Sequence, residues 1–98
     1  MTITKEKDGS KLTVKIEGRL DTTTSPQLEG ELKTALDDIS ELVFDISGLE
    51  YISSAGLRVL LTAQKVMNKQ GNMTVKGANE AVMEIFEVTG FVDILNIE

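Results

Sequence analysis

Cysteine, histidine and tryptophan are all absent from these 98 residues. Without cysteine there is no disulfide frame and no thiolate chemistry. Without histidine the chain lacks the commonest general base, the commonest metal ligand and any phospho-histidine relay. Ser-His-Asp triads and zinc sites are excluded with it. Basic residues are scarce and scattered: 10 stand against 16 acids, for a net charge of -6. Such a chain repels a phosphate backbone, so no direct nucleic-acid contact is expected. No apolar run approaches the length of a membrane span, and residues 1–7 carry no signal-peptide core. A cytoplasmic protein with no membrane contact is the expectation. What is there is enough for one domain over residues 1–98: 41% of the residues are hydrophobic, with no repeat, low-complexity tract or linker.

Leu12, Val14 and Ile16 alternate with Thr13, Lys15 and Glu17, the period of a half-buried strand. Asp8-Gly9 can turn the chain back on residues 2–7 to make a hairpin, and Gly18 is read as the strand end. Residues 21–25 form a loop of turn and cap residues. Ser25 as N-cap, with Pro26 in the first helical position, predicts a helix start. Leu28, Leu32, Ala35, Leu36 and Ile39 then share one stripe. Residues 42–46 are a continuous apolar run around Asp45, the mark of a central strand, with a tight glycine turn expected at Gly48. A second helix starts near Ser53 or Ser54 and runs to about Lys69, with Gly71 placed to end it. Its Leu57, Leu60 and Leu61 are predicted core, with Val59, Ala63 and Val66 as a second apolar edge. Residues 73–76 read as a weak strand. Asn79 caps a third helix whose Val82, Ile85 and Phe86 share a face, and Gly90-Phe91 ends it. The last apolar segment, residues 91–97, has no assigned type. The order β-β-α-β-α-β-α predicts an α/β fold: a mixed sheet, parallel but for the opening hairpin, with helices packed on it.

Ser53 and Ser54 are the foremost candidates for function. A helix N-terminus leaves N–H groups unpaired and carries partial positive charge. A serine there is a cap, or a hydroxyl where phosphate is tolerated, and residue chemistry leaves both open. Asp45-Ile46-Ser47-Gly48-Leu49 echoes the D-x-D-x-T pattern of haloacid-dehalogenase phosphatases. Ser47 and Leu49 replace the second Asp and the Thr, so Asp45 is expected to accept turn N–H bonds instead. Gly48 and Gly56 fit no phosphate-cradling pattern. Met67, Met73 and Met83 read as core fillers. Arg58 lies one turn after Ser54 on the same helix face. The loop of Asp21, Thr22, Thr23 and Thr24 is explained by local turns, with recognition as its alternative.

The run from Asp45 to Leu49, followed by Tyr51-Ile52-Ser53-Ser54-Ala55-Gly56-Leu57, closely resembles the STAS domain in its anti-sigma factor antagonist branch. Gly18-Arg19-Leu20-Asp21 resembles that family's loop after the second strand. Gly77-Ala78-Asn79-Glu80 and Val88-Thr89-Gly90-Phe91 resemble its last strand–helix unit. The likeness covers almost the whole chain. It implies a STAS-like fold and a cytoplasmic bacterial protein that is not an enzyme. It also implies a partner that is both anti-sigma factor and serine kinase: binding frees the sigma factor, phosphorylation dissolves the complex, and a serine phosphatase resets it. Aligned on Gly56-Leu57, the phosphoacceptor falls on Ser54. Many members have Asp before that serine and Ser after it; this chain has Ser53 and Ala55. The residue 21–25 loop and the start of the second helix both follow the C-terminal ends of strands that are neighbours if the crossover is right-handed, so the expected partner surface is Asp21, Thr22, Thr23, Thr24, Ser53, Ser54, Gly56 and Arg58, with no catalytic residue, cofactor or metal. Two other readings compete: a STAS interaction module without a sigma-factor partner, and a serine-modified carrier protein. The predicted strands argue against the carrier, because carrier proteins are helical bundles.

Overall fold

Seven regular elements and one short helical turn make up the computed structural model, which describes residues 1–98. They are β1 (Thr2–Asp8), β2 (Lys11–Leu20), α1 (Ser25–Ala35), β3 (Glu41–Ile52), α2 (Ser54–Gln70), β4 (Asn72–Lys76), α3 (Glu80–Thr89) and a 3-10 turn at Phe91–Asp93. The sheet order is β1-β2-β3-β4, antiparallel at the opening hairpin and parallel thereafter. The two crossovers advance in the same direction. Right-handed connections therefore put α1 and α2 on one face of the sheet, where they touch.

Alternation decides which face is covered. Leu12, Val14 and Ile16 of β2, Leu42, Phe44 and Ile46 of β3, and Met73 and Val75 of β4 are all buried in one cluster. The opposite face carries Thr4, Glu6, Thr13, Lys15, Asp45 and Lys76 and stays polar. Helix α2 closes the core with Leu57, Leu60, Ala63 and Met67, and α3 adds Val82 and Phe86. No helix is long and apolar enough to cross a membrane. The parallel sheet also rules out the helical bundle of a carrier protein.

Four local expectations need correction. Ser25 is not the cap of α1 but its first residue: its hydroxyl donates to the Asp21 carbonyl at 2.6 Å, and Thr24 stands at the cap position with helical backbone and no side-chain cap bond. The Asp21 carboxylate tightens the turn enough for the helix to begin one residue early. Neither Gly18 nor Gly48 ends a strand. β2 and β3 run on through them, because β3 carries extra residues opposite β2. Its partner shifts from Lys15↔Asp45 to Glu17↔Gly48, and again from Gly18↔Leu49 to Arg19↔Tyr51. These are β-bulges on β3, and Gly18, beside the second of them on β2, has left-handed backbone at φ 97°. Leu61 is only half-buried; it sits about 100° round the helix from Leu60, at the edge of the buried stripe. The last apolar segment pairs with the sheet: Val75 bridges Ile97, and Glu98 N–H donates to the Val75 carbonyl at 2.9 Å. The chain end thus covers the outer edge of β4, which would otherwise expose unpaired backbone.

Candidate functional site at the mouth of α2

β2 and β3 are parallel neighbours, so the segments that follow them leave the same end of the sheet. The join is direct, with Ser53 N–H donating to the Leu20 carbonyl at 2.9 Å. Gly56 allows it. A Cβ there would lie 2.8 Å from Leu20 Cγ, 2.9 Å from Ile52 Cγ1 and 2.9 Å from the Leu20 carbonyl oxygen. The first turn of α2 therefore rests directly on the end of β2.

The two serines divide the roles left open by sequence. Ser53 is the N-cap, with extended backbone, and its hydroxyl accepts from Gly56 N–H at 3.4 Å, a long bond. Ser54 is the first helical residue, is exposed, and its hydroxyl has no protein partner. The N–H groups of Ser54 and Ala55 precede the first intrahelical bond, which runs from Leu57 N–H to the Ser53 carbonyl at 2.9 Å. Arg58 is exposed and forms no ion pair.

Across the join, the residue 21–25 loop is closed on itself. Asp21 Oδ1 accepts from Thr23 N–H at 3.0 Å, Thr24 N–H at 3.1 Å and the Thr24 hydroxyl at 3.2 Å. The Thr24 hydroxyl also donates to the Arg19 carbonyl at 2.8 Å. The Thr24 N–H, above all, holds the Asp21 carboxyl below its ordinary pKa, with Thr23 helping against a desolvation cost. Thr22 and Thr23 are exposed and Asp21 half-buried.

Two residues outside the expected set also stand here. The Arg19 guanidinium lies 4.4 Å from the centroid of the Tyr51 ring, and its Nε is 3.8 Å from Asp21 Oδ2. Strand alternation, with Leu20 and Ile52 buried, already places both residues away from the core. Their pairing depends on the two bulges, which no spacing rule predicts. Asp45 is remote from this cluster in mid-strand. Its Oδ1 accepts from the Ser47 hydroxyl at 2.8 Å and Ser47 N–H at 3.1 Å, bracing the first bulge. Those bonds, the hydroxyl's first, lower its pKa, with Lys76 and Lys15 adding to the effect. The structural role expected for Asp45 is the one it has.

Comparison with known proteins agrees with this geometry. Residues 3–96 match the profile of the family described as "Mlab, STAS domain". A Bordetella bronchiseptica protein provisionally named anti-sigma factor antagonist BtrV is 35% identical, over 99% of this chain and 85% of its own. The chain belongs to the STAS domain family. Its relatives put it in the anti-sigma factor antagonist branch. The anti-sigma-B factor antagonist of Bacillus subtilis is 28% identical over 86% of this chain and 78% of its own. The crystal structure of an anti-sigma factor antagonist from Mycobacterium paratuberculosis superposes with a TM-score of 0.89 at 25% identity, covering 98% of this chain and 83% of that one. The STAS fold read from the motifs is thus the fold observed.

Proposed function

We propose that this STAS domain is a phosphorylation-switched binding module, not an enzyme. It binds an anti-sigma factor that is also a serine kinase, so that the sigma factor is released. Phosphorylation of Ser54 ends the interaction, and a serine phosphatase restores it. The contact surface joins Asp21, Thr22, Thr23 and Thr24 to Ser53, Ser54, Gly56 and Arg58. One observation carries the choice of serine: Ser53 commits its hydroxyl to Gly56 N–H, while the Ser54 hydroxyl is exposed and unpartnered at the helix mouth.

A phosphate on Ser54 adds about -1.5 to -2 charges beside two free N–H groups and the positive end of the helix dipole. That placement is favourable by about 0.3–1 kcal/mol, so the modified domain stays folded. The switch acts at the interface, where a dianion meets a desolvation cost and any acidic group of the partner. A penalty of about 2.8 kcal/mol weakens binding roughly a hundredfold. The test is phosphosite mapping after incubation with kinase and ATP, alongside partner affinity before and after. Phosphate on Ser54, with loss of affinity, is expected. Phosphate on Ser53 alone, or unchanged phosphorylation of Ser54→Ala, rejects the assignment. A second reading, a STAS interaction module with no sigma-factor partner, is favoured by the "Mlab" description of the matching profile. It predicts that the unmodified domain captures no anti-sigma factor.

A further inference from the structure

Arg19 and Tyr51 are ordered against each other and otherwise unused. The guanidinium sits over the ring at 4.4 Å, yet the Arg19 side chain is 60% exposed and Tyr51 is 37% exposed. The one charged neighbour of the guanidinium is Asp21, at 3.8 Å from Nε, and Asp21 Oδ1 is already engaged by Thr23 and Thr24. The remaining guanidinium N–H donors and the Tyr51 hydroxyl have no partner in the domain. An exposed stack of this kind adds little to folding. Its cost is the freedom that a long side chain gives up to lie flat.

That arrangement suits binding. Arginine held against an aromatic face loses less freedom when a partner arrives, and its free donors form a planar fork that matches a carboxylate. Tyrosine and arginine are the residue types in which binding energy concentrates. Position points the same way. Arg19 pairs with Tyr51 and Leu20 with Ile52, and Ser53 N–H bonds the Leu20 carbonyl. The stack is therefore continuous with the residue 21–25 loop on one strand and with Ser54 on the other.

We propose that the Arg19–Tyr51 stack anchors the docking surface around Ser54. It receives an acidic side chain of the anti-sigma factor on the guanidinium fork and an apolar side chain against the exposed ring. The inference rests on the reading that the partner is an anti-sigma factor, and it adds the chemistry that selects this partner. Asp21 keeps the guanidinium oriented until the partner's carboxylate takes the free donors.

The experiment measures binding of the purified anti-sigma factor of the same organism to the unmodified domain, across a range of salt concentrations. Arg19→Gln is expected to weaken binding at least tenfold and to flatten the salt dependence of association, as loss of a steering charge does. Tyr51→Ala is expected to weaken it at least tenfold through faster dissociation. The double variant should lose less than the product of the two, because each single change already breaks the stack. Arg19→Lys should keep the salt dependence without recovering full affinity. Tyr51→Phe preserves the ring if Tyr51→Ala melts early, and should bind within threefold of the parent. Lys7→Gln, on the far hairpin, serves as control. Losses under threefold for both Arg19→Gln and Tyr51→Ala overturn the inference, as does an effect on self-association alone. If the parent domain does not bind, the functional reading fails and this inference falls with it. If the parent binds and the variants bind equally well, only the inference fails.

Discussion

Two helix mouths lie side by side at one end of this sheet, and they are built in opposite ways. The entrance to α1 is closed: one carboxylate takes three hydrogen bonds, the Thr24 hydroxyl reaches back to the Arg19 carbonyl, and Ser25 bonds the Asp21 carbonyl. The entrance to α2 is open: one long cap bond engages the Ser53 hydroxyl, the Ser54 hydroxyl is exposed without a partner, and the Ser54 and Ala55 N–H groups precede the first intrahelical bond. Both carry hydroxyls, and composition alone does not separate them. The difference lies in what each hydroxyl is already doing. A satisfied polar group serves as scaffold, whereas an unsatisfied one at the surface is available for chemistry and recognition.

The largest expected effect tests what holds the open mouth in place. Leu60 is fully buried beneath α2, and Leu60→Ala should cost about 2–5 kcal/mol in denaturant unfolding. A loss below about 0.5 kcal/mol would mean that α2 is not anchored through this face. Gly56→Ala comes next. The added methyl lands within 2.9 Å of Leu20 and Ile52, and overpacking of this kind costs about 1–3 kcal/mol. It should also impair partner binding by moving Ser54. Normal stability with normal binding would show that the α2 mouth tolerates displacement.

Ser53→Ala separates the two serines. Loss of the cap should cost about 0.5–1 kcal/mol, while phosphorylation of Ser54 continues. If phosphorylation stops instead, the two hydroxyls are not divided as the geometry divides them. The smallest effect is at the closed mouth and depends on pH. The Asp21 carboxyl has a lowered pKa in the folded chain. Its contribution to stability is therefore complete above the unfolded value of about 3.9 and fades as pH falls through the lower folded value. Between pH 5 and pH 3 the parent should lose slightly more stability than Asp21→Asn, whose side chain cannot titrate. Equal losses would show that the loop's hydrogen bonds do not favour the ionised form. Asp45, lowered in the same direction, is unchanged in both proteins and forms the common background.

Much of this was legible in the residues. Alternation in β2 and the apolar run of β3 gave two adjacent strands, and the stripe of α2 gave its buried face. Asn79 stands where a cap belongs, just before the apolar stripe of α3, and its side chain accepts from Val82 N–H at 2.9 Å. The start of α2 at Ser53 and Ser54 was legible because cap preference is a local property of one residue and its next turn. The glycines misled. Gly18 and Gly48 mark bulges inside strands, and a glycine that bends a strand cannot be told from one that ends it without the partner strand. Leu61 misled because its stripe position is marginal, and the exact facing of a helix is set by its neighbours.

The sequence by itself determined the element order, the core composition, the family and the pair of serines at the second helix, since each depends on local periodicity, capping or motif. Only the tertiary structure decided which serine is engaged, that the loop at Asp21 is closed, that the chain end completes the edge of β4, and that Arg19 meets Tyr51. The first two are local bonds, but each has rival hydroxyls within a residue or two, so only the backbone geometry selects the partner. The last two depend on contacts between segments far apart in the chain, and the register that brings Arg19 to Tyr51 is set by bulges whose position appears only once β2 and β3 are paired.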